Sequence, residues 1–129
     1  MKLWDVATRK ERATIDGHGK ICWVTFSRDG RKIATAGQDR TVRLWHLADL
    51  SESRCFQGHT NWVHCVAFSP DGNLLASAGR DGSVRVWGAA TGELLNVLRG
   101  HTGRVWCAAF SPDGKTLATA GGDRTIKLW

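Results

Sequence analysis

GHTNWVHCVAFSPDGNLLASAGRDGSVRVW, residues 58–87, is punctuated like a set of strands joined by tight turns. Val63–Phe68 is a short run of apolar and β-branched residues, the composition of a buried strand. Ser69-Pro70-Asp71-Gly72 follows, and its Asp-Gly supplies the positive φ that a tight hairpin needs. Asn73–Gly79 makes a second strand, closed by a turn around Asp81. Ser83–Trp87 alternates apolar and charged residues with period two, which buries one face and wets the other. Helical periodicity is absent, and the stretch reads as three antiparallel strands.

The same grammar occurs twice more, as GHGKICWVTFSRDGRKIATAGQDRTVRLW (17–45) and GHTGRVWCAAFSPDGKTLATAGGDRTIKLW (100–129). Trp4, Trp45, Trp87 and Trp129 stand 41, 42 and 42 residues apart, the first interval being short because its unit lacks one residue after Gly-His. A fixed period of this length is the signature of a repeat architecture. A weaker fourth strand precedes each Gly-His, at roughly 11–16, 53–57 and 93–99. The whole chain is therefore read as all-β.

Composition narrows the class. Hydrophobic residues make up 42% of the 129, enough for a packed core, so bulk disorder is excluded. No run approaches the ~18 consecutive apolar residues of a membrane span, and no signal-peptide layout opens the chain. Seven Trp, fifteen Gly and two Pro fit strands cut by tight turns, with one aromatic recruited repeatedly. The formal charge is +6, but Lys and Arg are scattered singly and form no nucleic-acid-binding arm. Cys22, Cys55, Cys65 and Cys107 form no Cys-x-x-Cys pair, and three of them lie in apolar runs. They read as free thiols in a reducing compartment, which leads to the expectation of a cytoplasmic protein.

Gly-His, Phe-Ser-Pro-Asp-Gly, Ala-Ser/Thr-Ala-Gly, an Asp turn and a terminal Trp, three times in register, resemble the WD-repeat family of β-propellers. The resemblance covers essentially the whole chain. The Trp-Asp dipeptide itself survives only at Trp4-Asp5, becoming Trp45-His46 and Trp87-Gly88. The family implies four-stranded antiparallel blades around a central channel. It divides the chain into three repeats at approximately 5–45, 46–87 and 88–129, with residues 1–4 a redundant remnant of a third strand.

Each unit carries a His, a hydroxyl and an Asp at constant spacing: His18, Thr35, Asp39; His59, Ser77, Asp81; His101, Thr119, Asp123. Without context this is the residue set of a serine hydrolase. The family pattern instead implies hydrogen-bonded tetrads ending on the indole N–H of Trp45, Trp87 and Trp129, a donor that wants an acceptor when buried. Threefold repetition and the placement of the hydroxyls within strands favour that structural role over catalysis. His59 and His64, with Cys65 adjacent, are not read as metal ligands, because neighbours on a strand point to opposite faces. No catalytic residue, cofactor or metal site is expected.

The fourth strand at 11–16 precedes the first Gly-His, and none follows 104–129. Propellers of this family use such an offset to close, the first strand completing the last blade. Three blades would each have to span about 120°, against roughly 45–90° in closed propellers. Copies are therefore expected to meet head to tail, as a closed homo-oligomer. Nine blades in a trimer, at about 40° each, lie nearer the usual roughly 45–51° than six blades in a dimer at about 60°. In such a ring, residues 1–4 and 126–129 compete for one place. A chain cut in the same phase at both ends also reads as an excised or engineered fragment.

The resemblance implies a non-enzymatic interaction scaffold that binds proteins or peptides on the loop face. Lys20, Trp62 and Arg104 begin the first strands; Gln38, Arg80 and Gly122 precede the turn Asp residues. Of these, Lys20, Gln38, Trp62, Arg80 and Arg104 are the candidate partner-binding positions, Arg and Trp being typical interface anchors. The alternative is a module whose only activity is self-assembly, and a weaker one is a nucleic-acid or acidic-ligand binder. Trp23 and Trp106, on first strands, have no assigned role.

Overall fold

In a computed structural model describing residues 1–129, the repeat becomes thirteen strands and no helix. They are β1 (Lys2–Trp4), β2 (Glu11–Thr14), β3 (Ile21–Phe26), β4 (Lys32–Gly37), β5 (Val42–His46), β6 (Glu52–Phe56), β7 (Val63–Phe68), β8 (Leu74–Gly79), β9 (Ser83–Gly88), β10 (Leu94–Arg99), β11 (Val105–Phe110), β12 (Leu117–Gly121) and β13 (Ile126–Leu128). The Asp-Gly hairpins hold Gly30, Gly72 and Gly114 at φ of 67°, 74° and 72°, a conformation that glycine adopts without steric cost. Inside each hairpin a serine locks the turn. Ser69 Oγ donates to Asp71 Oδ1 at 2.5 Å and accepts the Leu74 N–H at 2.9 Å.

Two sheets are complete, in the orders β3-β4-β5-β6 and β7-β8-β9-β10. A third, β11-β12-β13, has three strands, and β1-β2 is a two-stranded hairpin. The three four-stranded blades read from the sequence are thus realised differently within one chain. β2, which the sequence reading expects to complete the last blade of a neighbouring copy, is paired to β1 in this chain, with Leu3 opposite Ala13 and Lys2 opposite Thr14. The hairpin is closed by the Met1 amino group donating to Ile15 O at 2.7 Å and by the Ile15 N–H donating to Met1 O at 2.8 Å.

Sheets pack face to face through an asymmetric pattern. Alternation along β4 sends Ala34 and Ala36 to one face, where they join Val42, Leu44 and Phe56 against Val63, Val66, Leu75 and Trp87 of the next sheet. The small alanines admit the bulkier Leu75 and Trp87, and Phe56 meets Trp87 edge-on at 5.6 Å. The second sheet repeats this with Ala76, Ala78 and Val84 against Val105, Ala108 and Leu117. Each large aliphatic side chain fully buried here contributes about 1.5–3 kcal/mol.

The outermost faces have no such neighbour. Ile126 and Leu128 are 75% and 71% exposed, whereas their counterparts Val42 and Leu44 are 1% and 2% exposed. On the first sheet, the β1-β2 hairpin covers only the outer half, where Leu3 and Ile15 pack on Ile33 and Trp45. Its inner half leaves Trp23, Val24 and Phe26 exposed, although Val66 and Ala108, the equivalents of Val24, are buried.

Candidate functional site

The structure brings His18, Thr35, Asp39 and Trp45 together in the first sheet, His59, Ser77, Asp81 and Trp87 in the second, and His101, Thr119, Asp123 and Trp129 in the third. In the second, the Trp87 Nε1–H donates to Ser77 Oγ at 2.8 Å, His59 Nε2 lies 2.8 Å from the same oxygen, and His59 Nδ1 lies 2.9 Å from Asp81 Oδ2. A hydroxyl that accepts the indole proton gives its own to His59 Nε2, which puts the histidine proton on Nδ1, facing the carboxylate. The order of donation runs Trp to Ser to His to Asp. In the first sheet the same contacts measure 2.9, 2.7 and 2.9 Å, and in the third 3.0, 2.9 and 2.8 Å. Ser77 is fully buried and its oxygen is already engaged by Trp87. The arrangement presents no solvent-facing nucleophile.

Two further parts of each chain of bonds escaped sequence reasoning. Thr41, Ser83 and Thr125, two residues after each Asp, donate their hydroxyls to its Oδ1 at 2.9, 2.7 and 2.8 Å. The repeating Gly residues leave the space. A Cβ on Gly37, Gly79 or Gly121 would collide with the histidine ring and the aspartate, and one on Gly17 with the Trp45 ring. The one-residue deletion after the first Gly-His has a consequence as well. Asp81 and Asp123 accept the N–H of Thr60 and Thr102, while Asp39 takes a 3.4 Å contact from Arg43. The Asp39 side chain is 28% exposed, against 8% for Asp81.

Burial alone would raise the Asp81 carboxyl, but the bonds from His59, Ser83 and the Thr60 N–H together outweigh it and hold it well below the usual carboxylate range. Asp39 is lowered by His18 and Thr41 against the same burial. A carboxyl depressed in the folded state adds stability that is complete above the unfolded pKa of about 3.9 and is lost as pH falls toward the folded value. The thermal midpoint should therefore drop steeply in scanning calorimetry below about pH 4. Asp81→Asn should lower the midpoint near neutrality and flatten that acid dependence. An unchanged acid slope in the variant would show that Asp81 is not a coupled group.

The candidate partner-binding positions fall into two groups. Lys20 and Gln38 meet on the first sheet, where the Gln38 N–H donates to Lys20 O at 2.9 Å. Trp62, Arg80 and Arg104 gather with two residues not assigned to the site from sequence, His64 and Trp106, where the second and third sheets meet. The Arg80 guanidinium lies 5.0 Å from the Trp62 ring, and that of Arg104 lies 5.1 Å from the Trp106 ring. His64 stacks on Trp106 at 4.7 Å between ring centroids, joining the two sheets. A register shift explains its aim. Val63 faces Gly79 and Cys65 faces Ala78, so His64 is the extra residue of a β-bulge, as Cys22 and Trp106 are in their strands. Bulges re-aim side chains in this way. His64 Nε2 is buried without a hydrogen-bond partner, and burial together with the charges of Arg104 and Arg80 pushes the His64 pKa down.

Comparison with known proteins agrees with this architecture. The family profile described as "WD domain, G-beta repeat" matches residues 9–46, 50–88 and 92–129. The chain is similar to the DDB1- and CUL4-associated factor 13 of Dictyostelium discoideum, 36% identical over 53 residues, which is 40% of this chain and 12% of that protein. It is 40% identical over 57 residues to the Pre-mRNA-processing factor 19 homolog 2 of Arabidopsis thaliana, 43% of this chain and 11% of that protein. Over 66 residues it is 36% identical to the Protein Notchless of Drosophila melanogaster, 51% of this chain and 14% of that protein. The chain therefore spans no more than 14% of the length of any of these three relatives. With three consecutive matches, each coinciding with one repeat and its hydrogen-bonded tetrad, the chain belongs to the WD40 family of G-beta repeat proteins.

Proposed function

We propose that this chain is a non-catalytic scaffold, which offers its loop face to partner proteins and joins copies of itself head to tail into a closed propeller. Repeats of this family build protein-interaction scaffolds, and the tetrads supply rigidity, tying each entry loop to the second and third strands of its sheet. The self-assembly rests on one observation: the exposed face of the third sheet matches the faces that are buried inside this chain. Ile126 and Leu128 occupy the positions of Val42 and Leu44, and Val24 and Phe26 those of Val66 and Phe68, which pack together between the first two sheets. A copy's first sheet is thus the occupant this face is shaped for, and a heterologous contact of that kind stops growing when the ring closes. Trimeric closure puts nine blades at about 40° each, nearer the family's wedge angle than the about 60° of a dimer. The four unpaired cysteines fit a cytoplasmic setting.

Light scattering at micromolar concentration tests the assembly. The expected mass is about 43 kDa for a trimer or about 28 kDa for a dimer, multiples of the 14.2 kDa chain. A stable monomer would overturn self-assembly.

A further inference from the structure

We infer that the seam between the second and third sheets is a receptor site for an acidic protein segment, whose carboxylates are taken by Arg80 and Arg104. This rests on the scaffold reading and assigns its partner chemistry. The two guanidiniums are uncompensated. Ion pairs in the chain join Lys2 to Glu11, Arg43 to Asp39 and Glu52, and the three His–Asp contacts of the tetrads; neither Arg80 nor Arg104 has a carboxylate partner. Asp81, next to Arg80 in sequence, and Asp123, next to the Gly122 whose N–H donates to Arg104 O at 2.7 Å, are consumed by His59 and His101 and by the hydroxyls of Ser83 and Thr125.

Both arginines are also held in place. Each lies over an exposed indole, Trp62 at 36% and Trp106 at 46% exposure, and a guanidinium stacked on a ring keeps its in-plane N–H donors free for a bidentate carboxylate. Fixing the side chain in advance lowers the ordering cost of binding. Gly122 contributes by having no side chain, since a Cβ there would lie 3.2 Å from Arg104 Cγ and 3.5 Å from Trp106 Nε1. The orphaned His64 Nε2 adds an unpartnered polar atom to the same seam. The rings themselves are engaged, Trp106 by His64 and Arg104, and Trp62 by Arg80. They serve as shelves for the guanidiniums instead of platforms for nucleobases, which favours a peptide over a nucleic acid.

Titration calorimetry with a Glu/Asp-rich peptide, its Gln/Asn counterpart and a thymidine oligonucleotide of equal charge tests the site. The acidic peptide should bind, more weakly as salt rises, and the Gln/Asn peptide should not. Arg80→Ala and Arg104→Ala should each weaken binding by roughly tenfold, the loss of one charge-assisted contact. Lys115→Ala, in the Asp113-Gly114 hairpin of the third sheet, removes the same charge and should leave affinity unchanged. Affinity unchanged from the parent in both arginine variants, an absence of binding by the acidic peptide, or tighter binding of the oligonucleotide would each overturn the inference. Light scattering on the same samples separates this from the scaffold reading: lost peptide binding with assembly intact sinks the receptor site alone.

Discussion

Ser77→Ala lowers the thermal midpoint of the chain by at least about 6 °C. The Ser77 oxygen is fully buried and serves two groups at once, accepting from Trp87 Nε1 and lying 2.8 Å from His59 Nε2. Alanine fits the space but satisfies neither. A buried polar group left without its partner costs about 1–3 kcal/mol, so orphaning two costs about 2–6 kcal/mol. That is a large part of the about 5–15 kcal/mol by which a domain is stable. The loss reaches the interface as well, because the Trp87 ring that the hydroxyl anchors packs edge-on against Phe56 of the preceding sheet. Ser77→Thr separates the hydroxyl from the side chain's size. Thr35 and Thr119 hold the equivalent places in buried positions, and this variant should melt within a few degrees of the parent. Thr119→Ala should cost less than Ser77→Ala, because Trp129 is only partly buried and water can replace the lost acceptor. Thermal and urea melts of the three variants decide the matter. A Ser77→Ala protein as stable as the parent would mean that the tetrad is decoration.

How much of this was legible in the sequence depends on which residues are asked. The Trp45, Trp87 and Trp129 spacing and the three Asp-Gly turns announce strands and hairpins, because period-two alternation and positive φ are local demands. The His, hydroxyl and Asp sets were visible as sets, and the family resemblance indicated their wiring. Two other features depended on structure that no local rule reports. The bulges at Cys22, His64 and Trp106 break the alternation that would have sent His64 and Cys65 to opposite faces of a regular strand. They are visible only once the first strand is laid against the second. For that reason Arg80, Arg104 and Trp62 were picked out singly, while the stacked cluster around them was missed. The β1-β2 hairpin was hidden for another reason. Lys2-Leu3-Trp4 and Lys127-Leu128-Trp129 are the same tripeptide, so the choice of partner for β2 is a competition between equals in sequence, settled by chain connectivity.

That competition carries the last prediction: Leu3→Asp strengthens self-association of the 129-residue chain, and Leu128→Asp abolishes it. In the single chain Leu3 lies opposite Ala13 and packs with Ile15 on Ile33 and Trp45. A copy docking its third sheet on this first sheet brings Leu128 to that same spot, so β1 must leave before β13 can pair with β2. The incoming strand gains more than the outgoing one loses. Trp4 is 58% exposed and makes no tetrad, whereas Trp129 arrives already bonded to Thr119. The exchange also covers Val24, Phe26, Ile126 and Leu128, all between 45% and 75% exposed. Burying the part of these four side chains still exposed is worth about 4–7 kcal/mol, comparable to the about 4–15 kcal/mol that association costs. The proposed assembly would therefore sit near balance, where the competing strand decides it. Weakening β1 with a charge at Leu3 removes the competitor without shortening the chain, and a gain of about 1.4 kcal/mol would tighten association about tenfold. The same charge at Leu128 is carried into the buried interface and should leave a monomer. Sedimentation equilibrium across a concentration series reads both. If Leu3→Asp associates more weakly than the parent, β1 is part of the assembled interface and the exchange of strands is wrong.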